Sequence, residues 1–513
     1  MAVTNVDPIE MNYMEYILAQ WKADMEDIQL CRDYYDGDQT IFLTDRMKEF
    51  LQLHHSEVTF RLNICKTIIT ALLDELVLKG FGTSEDGDVK PVAQWAEQVY
   101  NANNLDELQN KIHEATLRDR ETFVIVDFDE EKRLPKLVHN DLYISTEVEG
   151  SGYGCWMVYS EEDPNKPAAA VKQWTETVML KNKQQRTRQR RTVYYPDRIE
   201  RFLYDGGWKP YNDDNRGEVI PLKDGSGKPL GLPVIHFRNV DEQSEIWDVL
   251  PNQDVINKMA LDVLGISDLT GFPTTFVAGF NPVDSDGNPI VLSPGQIWGT
   301  TKDASTVKAE RQEASDITSI VEALTTWISL TANLSATPVS RFIMTGQIAS
   351  SETLKDQDKP LQRKAERRRV SFGNSWEQVM NIARRMSNVY GAAGLDENVV
   401  ISCDWKLEYS QEQLNAMLTY GVPQEFIWRK AGLSQAEIDA IKETEEYKIA
   451  LKSKVWAAVG AAKADAVPAE TILRDFGYTD EDLARFASAQ MAAINIQQQD
   501  SMPVDNIGNV ITQ

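Results

Sequence analysis

Histidine and cysteine are scarce in this 513-residue chain, and the scarcity narrows the chemistry open to it. The five histidines (His54, His55, His113, His139, His236) lie far apart except for the first pair. The four cysteines (Cys31, Cys65, Cys155, Cys403) form no CxxC pair and no metal-ligand spacing, so reduced, partly buried thiols in a cytosolic protein are expected. No G-x-x-x-x-G-K-[ST], H-E-x-x-H or G-x-S-x-G is present. Catalytic residues, metal ligands and cofactors are therefore assigned as none. No apolar run approaches the ~20 residues a membrane span needs. The opening MAVTNVDPIEMNYMEY has neither a basic segment nor an apolar one, so a signal peptide is not expected. Positive charge is short as well: 53 Lys+Arg face 79 Asp+Glu, a net charge of -26. A protein that coats DNA needs cations to neutralise phosphates, so that class is disfavoured, though DNA can pass such a protein without sticking.

What is present suits a large folded chain. Hydrophobic residues make up 42% and tryptophan occurs 12 times, which argues against disorder, and the length calls for several domains or an elongated subunit. Periodicity predicts helices over 11–35, from Asn63 to Gly80, over Pro91–Asn103 and over Leu105–Arg120. The period then shortens. Thr122–Phe128, Leu142–Thr146, Tyr153–Tyr159, Val171–Leu180, Thr192–Tyr195, Ile199–Tyr204 and Leu232–Phe237 read as strands of an α+β region ending near Asn239. Helix returns over 244–271 and Glu313–Leu334, around a Pro/Gly-punctuated β island at Phe272–Gln312 with TTFVAGF, IVL and QIWGTT as candidate strands. Asp284-Ser285-Asp286-Gly287 within it reads as a hairpin turn, because no glutamate closes a calcium loop.

Three later stretches carry the functional question. SATPVSRFIMTGQIASS (335–351) joins two strong helices without periodicity of its own, and connections of that length are usually functional or disordered. A long helix follows from about Glu352 to Tyr390, to be kinked or divided at Pro360. It contains LQRKAERRRVSFGNSW (361–376), five cations and one acid in an acidic protein. On an ideal helix Arg363, Lys364, Arg367 and Arg385 share one face, while Leu361, Ala365, Phe372, Trp376, Val379 and Ala383 fall opposite. A second basic island, KNKQQRTRQRR (181–191), reads as a solvated hairpin, with a partner-docking loop as the other reading. Near the end, VPQEFIWRKAGLSQAEI (422–438) and VPAETILRDFGYTDEDL (467–483) repeat at an offset of 45 residues. Each copy predicts a helix ended by glycine (Gly432, Gly477, both left-handed) and a capped second helix (Ser434 with Glu437, Thr479 with Asp482).

This order of parts resembles the portal proteins of tailed double-stranded-DNA bacteriophages, siphovirus-type. CRDYYDGDQTIFL (31–43), RLNICKTIITALLDELVLKGF, VYYPDRIERFLYDGGW (193–208), PLGLPVIHFRN (229–239) and ASSETLKDQDKPLQRKAERRRVSFGNSWEQVM are similar to family segments in family order. The resemblance covers most of residues 30–390. It implies an elongated, multi-domain α+β subunit: wing 1–243, stem helices 244–271 and 313–334, clip 272–312, tunnel loop 335–351, long wing helix 352–391, return to the wing 392–409, and helical crown 410–513.

The resemblance also implies a homo-oligomer, a dodecameric ring at one capsid vertex of the virion, assembled in the host cytoplasm. Double-stranded DNA would pass through it without sequence specificity. Terminase large subunit, major capsid protein and head–tail adaptor would be its partners, with no enzymatic activity and no membrane. Arg341, Phe342, Ile343 and Met344 would line the narrowest part of the channel. Arg363, Lys364, Arg367, Arg368 and Arg385 would face either the channel or a neighbouring subunit's acids, the subunit contact being preferred because an acidic protein offers many carboxylates. Two rivals stand beside it: a capsid scaffold or adaptor, which would associate transiently, and a metal-dependent nucleic-acid enzyme built from scattered acids.

Overall fold

The computed structural model describes residues 25–39, 62–85, 90–145, 152–271 (apart from 161, 164, 180–184 and 213–218), 275–278, 308–311, 317–343 and 351–406, with short pieces between 417 and 479. Contacts divide the chain into two units, Met1–Lys406 and Leu407–Gln513.

The first unit opens with helix α1 (25–36), which buries Ile28, Cys31, Tyr34 and Tyr35 and ends at Gly37, whose φ of 78° only glycine adopts cheaply. Helix α2 (Ile64–Asp74) starts where Asn63 accepts the Lys66 N–H at 3.0 Å and Gln253 accepts that of Ile64 at 2.9 Å. Helices α3 (Pro91–Ala102) and α4 (Leu105–Asp119) follow; the Glu85 carboxylate accepts the Val92 and Ala93 amides at the start of α3.

Strands β1 (Leu78–Thr83), β2 (Glu121–Asp129), β3 (Leu134–Asn140), β4 (Ile144–Ser145), β5 (Gly152–Tyr159), β6 (Pro167–Met179), β7 (Gln185–Tyr194), β8 (Arg198–Tyr204), β9 (Trp208–Pro210), β10 (Val219–Pro221) and β11 (Val234–Arg238) come next. Strand β2 is the middle of a three-stranded antiparallel sheet, β11-β2-β3, and is buried over Glu121–Val126. The larger antiparallel sheet runs β10-β8-β7-β6-β5-β4, with β9 on β8.

Two long helices, α5 (Leu250–Gly271) and α6 (Ile317–Ser335), pack on one another, and between them in sequence β12 (Thr275–Ala278) pairs antiparallel with β13 (Lys308–Arg311). Helix α7 (Ser351–Tyr390) packs across β2, β3 and β11, and β14 (Ile401–Trp405) returns to pair with β1. The apolar stripe expected on α7 is the inner one: Leu361, Ala365, Phe372, Trp376, Val379 and Ala383 are all buried. The helix continues through Pro360, although that residue has no N–H to offer the Asp356 carbonyl. In the second unit, α8 (Gln424–Lys430) and α9 (Gln435–Glu443) are the helix pair expected of the first repeat, joined by a Lys442–Glu425 ion pair of 2.6 Å. Gly432, Ser434, Gly477 and nearly all of the second copy lie outside the described residues.

The structure corrects several expectations. Strand β3 was not anticipated, because Pro135 and three polar residues mask its period; the proline sits near the strand's start, where it is tolerated. The island 181–191 is not a hairpin loop beyond 184: Gln185–Arg191 belongs to β7 and pairs with β6. Helix α5 begins at Leu250, not at Ser244, because the preceding residues are used in turns and in a tight Trp247–Val249 helix. IVL and QIWGTT of the β island lie outside the described residues.

At the centre of the larger unit, His113 is fully buried on α4. Trp376 Nε1–H donates to His113 Nε2 at 2.9 Å, which leaves Nδ1–H to donate to the Leu76 carbonyl at 3.0 Å. A tryptophan N–H can only donate and a carbonyl can only accept, so this geometry admits one neutral tautomer. The imidazole stacks on Phe372 with ring centroids 5.1 Å apart. Burial holds its pKa down at about 3, from an ordinary 6.5. A depressed histidine pKa means that the unfolded chain takes up the proton first. Its stability contribution is therefore complete above pH 6.5 and is lost as the pH falls from 6.5 toward 3. Urea midpoints should fall between pH 6.5 and 4.5, before most carboxylates titrate, with a slope of about 1.4 kcal/mol per pH unit per proton. His113→Phe should lower stability by about 2–4 kcal/mol, since it orphans the Trp376 N–H and the Leu76 carbonyl, and should flatten that slope.

Candidate functional site

Helix α7 meets the two long helices α5 and α6 at a buried carboxylate. Glu245 lies in the connection between β11 and α5, and its side chain is only 3% exposed. Lys364 Nζ approaches it at 2.6 Å, Arg368 Nε at 2.7 Å and Nη2 at 2.6 Å, and Asn239 Nδ2 donates at 2.9 Å. Lys364 also donates to the carbonyl of Ser335, the last residue of α6, at 2.9 Å. One ammonium thus ties α7 to the lead-in of α5 and to the end of α6. Burial alone would push the Glu245 carboxyl up. The adjacent Lys364 and Arg368 charges and the hydrogen bonds outweigh that and hold it below the ordinary glutamate value of 4.5. Backbone strain surrounds the junction, with φ of 68° at Asp241, 53° at Glu242 and 55° at Ala336.

The five cations assigned from the sequence therefore divide. Lys364 and Arg368 turn inward onto Glu245 of their own chain, a destination that was not anticipated. Arg385 is half-buried and donates to the Leu230 carbonyl at 3.1 Å. Arg363 and Arg367 alone of the set are exposed, and neither has an ion-pair partner among the described residues. With Val370, Asn374 and Gln378 they form an outward stripe along α7.

The connection after α6 is partly ordered by its neighbours. Ser335, Thr337 and Pro338 are buried, and a tight turn spans Val339–Arg341. Arg341 pairs with Asp74 at 3.1 Å, and Phe342 packs against the main core. Arg369 of α7 donates to the Glu75 carbonyl at 2.7 Å, beside the same end of α2. Ile343 is half-buried, and Met344 lies outside the described residues.

Sequence reasoning missed Glu245, Asn239 and Glu75, as well as Arg384, which donates to the carbonyls of Asp396, Glu397 and Val399 and so folds the turn after α7. The available signal was charge economy: a helix this basic with an apolar inner face needs acids at its flanks.

The N-terminal Tyr-Tyr-Asp-Gly-Asp segment belongs to the same junction. Tyr34 donates to the Asp254 carboxylate in the first turns of α5, with oxygens at 2.7 and 2.8 Å. Tyr35 lies under Lys66 at 5.3 Å and Arg118 at 5.6 Å, and its carbonyl accepts from Asn63. Among the described residues no group of His, Cys, Asp and Glu could hold a metal ion, and no helix is long and apolar enough to cross a membrane.

Glu245→Gln should cost about 3–5 kcal/mol in urea unfolding, because it leaves two cations buried without a counter-charge. Lys364→Met should cost less, about 1–2 kcal/mol, since Arg368 still neutralises the carboxylate. Equal losses for the two variants would contradict this division of charge.

A model of the family described as "Phage portal protein, SPP1 Gp6-like" matches residues 14–450. Among solved structures the chain is similar to an HK97 family phage portal protein from Corynebacterium diphtheriae, with 11% identity over 70% of this chain and 95% of that one, at a TM-score of 0.27. No curated protein matches it. With most of its length inside the family match, the chain belongs to the phage portal proteins of the SPP1 Gp6-like type.

Proposed function

We propose that copies of this chain close into a ring, dodecameric by family likeness, at one vertex of the capsid. Its channel passes DNA inward during packaging and outward at ejection, while its exposed ends dock the terminase motor and later the tail adaptor. The family is a structural component of the virion, not an enzymatic one. Within the subunit, 1–243 with 392–409 is the wing, 244–271 with 313–334 the stem, 272–312 the clip and 410–513 the crown. The pairing of β14 with β1 supports the return of the chain to the wing.

One observation carries the ring. Along Asp262–Ser267 of α5 and Ile317–Leu330 of α6 no described side chain is fully buried, although Val263, Ile320, Val321, Leu324, Trp327 and Ile328 are among them. Leu264, Val321, Leu330 and Leu334 are openly exposed. Leu324, Trp327 and Ile328 rest partly on the main core, and the apolar side chains that it leaves uncovered gain stability when neighbouring copies cover them.

Helix α6 also suits a wall past which DNA slides. Helix α6, Ile317–Ser335, contains no lysine or arginine and one acid, Glu322. Thr325, Thr326, Ser329 and Thr331 donate their hydroxyls to carbonyls of their own helix four residues back. Each phosphate neutralised by a protein adds about 0.9 to the salt slope of binding, and a ring multiplies every such contact. A wall without cations avoids that.

In this reading the loop 335–351 lines the narrowest part of the channel through Arg341, Phe342, Ile343 and Met344. The Arg341–Asp74 pair and the packing of Phe342 support a base for it against α2. Arg363 and Arg367 reach a neighbouring subunit's acids, while Lys364, Arg368 and Arg385 hold the helix that presents them.

Arg363→Glu with Arg367→Glu should abolish rings at low salt and restore them near 1 M salt, where screening shortens to about 3 Å. Rings that persist but package poorly would move these residues to the DNA channel, and unchanged assembly and packaging would leave them as a solvated face. Replacing 339–350 by Gly and Ser should spare ring mass and reduce packaged DNA. Normal packaging by that variant would remove the loop from the mechanism.

A further inference from the structure

The second basic island supplies a surface that the portal reading alone does not use. From the pairing of β6 with β7, Lys172, Trp174 and Glu176 share one face with Arg186, Arg188 and Arg190. Arg190 lies over the Tyr211 ring at 3.6 Å and near Trp174 at 5.7 Å, and Lys172 sits 5.5 Å from the Trp174 ring. Arg188 and Arg190 both hold Glu176, at 2.7 and 3.0 Å. Four cations thus surround one carboxylate, in a chain whose net charge is -26; Arg190 is buried beneath Tyr211, and Lys172 and Arg188 are half-buried. Arg186 is exposed and has no ion-pair partner among the described residues; the neighbouring Asp205 is engaged by Lys209 at 3.0 Å.

The face is pre-organised as well as basic. Aromatic rings and Glu176 fix Arg188 and Arg190, so little side-chain entropy remains to be lost when a partner arrives. On the opposite face Arg191 is buried over Trp208 at 3.9 Å and hydrogen-bonded to Gln173 at 2.9 Å, which stiffens the same strand.

We propose that this face, presented outward by Arg186 with the half-buried Lys172 and Arg188 and supported from beneath by Arg190, is a seat for an acidic surface of a neighbouring copy of the chain. The inference rests on the ring reading. Its basis is charge: each copy carries 79 acids against 53 bases, so copies packed side by side repel unless cations stand at their contacts. Complementary charge across an interface also selects register and suppresses wrong partners.

The test compares particle mass for the full-length chain, Arg186→Glu and Lys132→Glu, the last being an exposed cation between β2 and β3 of the other sheet. Wild type and Lys132→Glu should form rings alike. Arg186→Glu should need about tenfold more protein to assemble at 0.1 M salt, and the difference should vanish near 1 M. Carbodiimide coupling of assembled Arg186→Lys should join two chains through that position and an Asp or Glu of the partner.

Equal assembly of Arg186→Glu and wild type would overturn the seat and leave the ring intact. A loss of rings that salt does not restore would overturn it too, as would intact rings that only retain less DNA. Wild type that stays monomeric at every salt would instead bring down the ring reading, and this inference with it.

Discussion

A buried glutamate governs this subunit. Glu245 sits where the three-stranded sheet hands over to α5, and it is removed from water. A carboxylate in that position is tolerable only with counter-charges in contact, and helix α7 supplies both. Because Lys364 also holds the end of α6, one ion cluster ties both long helices to α7, alongside the Tyr34–Asp254 and Ile64–Gln253 hydrogen bonds that hold α5. The strained residues at 241, 242 and 336 flank it on either side, where the chain turns sharply enough to bring the partners together.

Stability is distributed unevenly around that cluster. On one side lies a continuous core of α2, α3, α4, the small sheet and α7, with His113, Phe372 and Trp376 at its centre. The helices α5 and α6 join that core through Leu250, Ile256, Leu324, Trp327 and Ile328, while Leu264, Val321, Leu330 and Leu334 stay exposed. In the proposed ring, that exposed apolar surface is what neighbouring copies would cover. The absence of cations on α6 and their concentration on α7 and β7 would there follow one logic, with charge placed where copies meet and withheld where DNA slides. The thiols fit a structural part: Cys31, Cys65 and Cys155 are buried and Cys403 nearly so, and burial pushes the Cys31 thiol up to about 11.

Much of this was legible in residue periodicity. The inner stripe of α7 was readable because helical spacing and burial obey one rule, from Leu361 to Ala383. The strands β2, β5, β6, β8 and β11 showed themselves through β-branched and aromatic runs. The destinations of the cations were not legible, since Arg367 and Arg368 have the same chemistry and differ by one residue of helical phase. Only the fold brings Glu245 beside one and leaves the other exposed. Likewise the Tyr-Tyr segment was recognisable as a pattern, but its partner Asp254 is 220 residues away. The island in β7 was taken for a loop because charge masks strand period. Its arginines are held in the strand by Trp174, Tyr211 and Trp208, rings contributed from other strands and turns.

The central claim is that this chain is completed by copies of itself. The most direct measurement is the particle mass of the purified full-length protein at physiological ionic strength. A single species at a fixed, large multiple of the subunit mass is the predicted result. A stable monomer across concentrations, with α5 and α6 folded, would contradict the account.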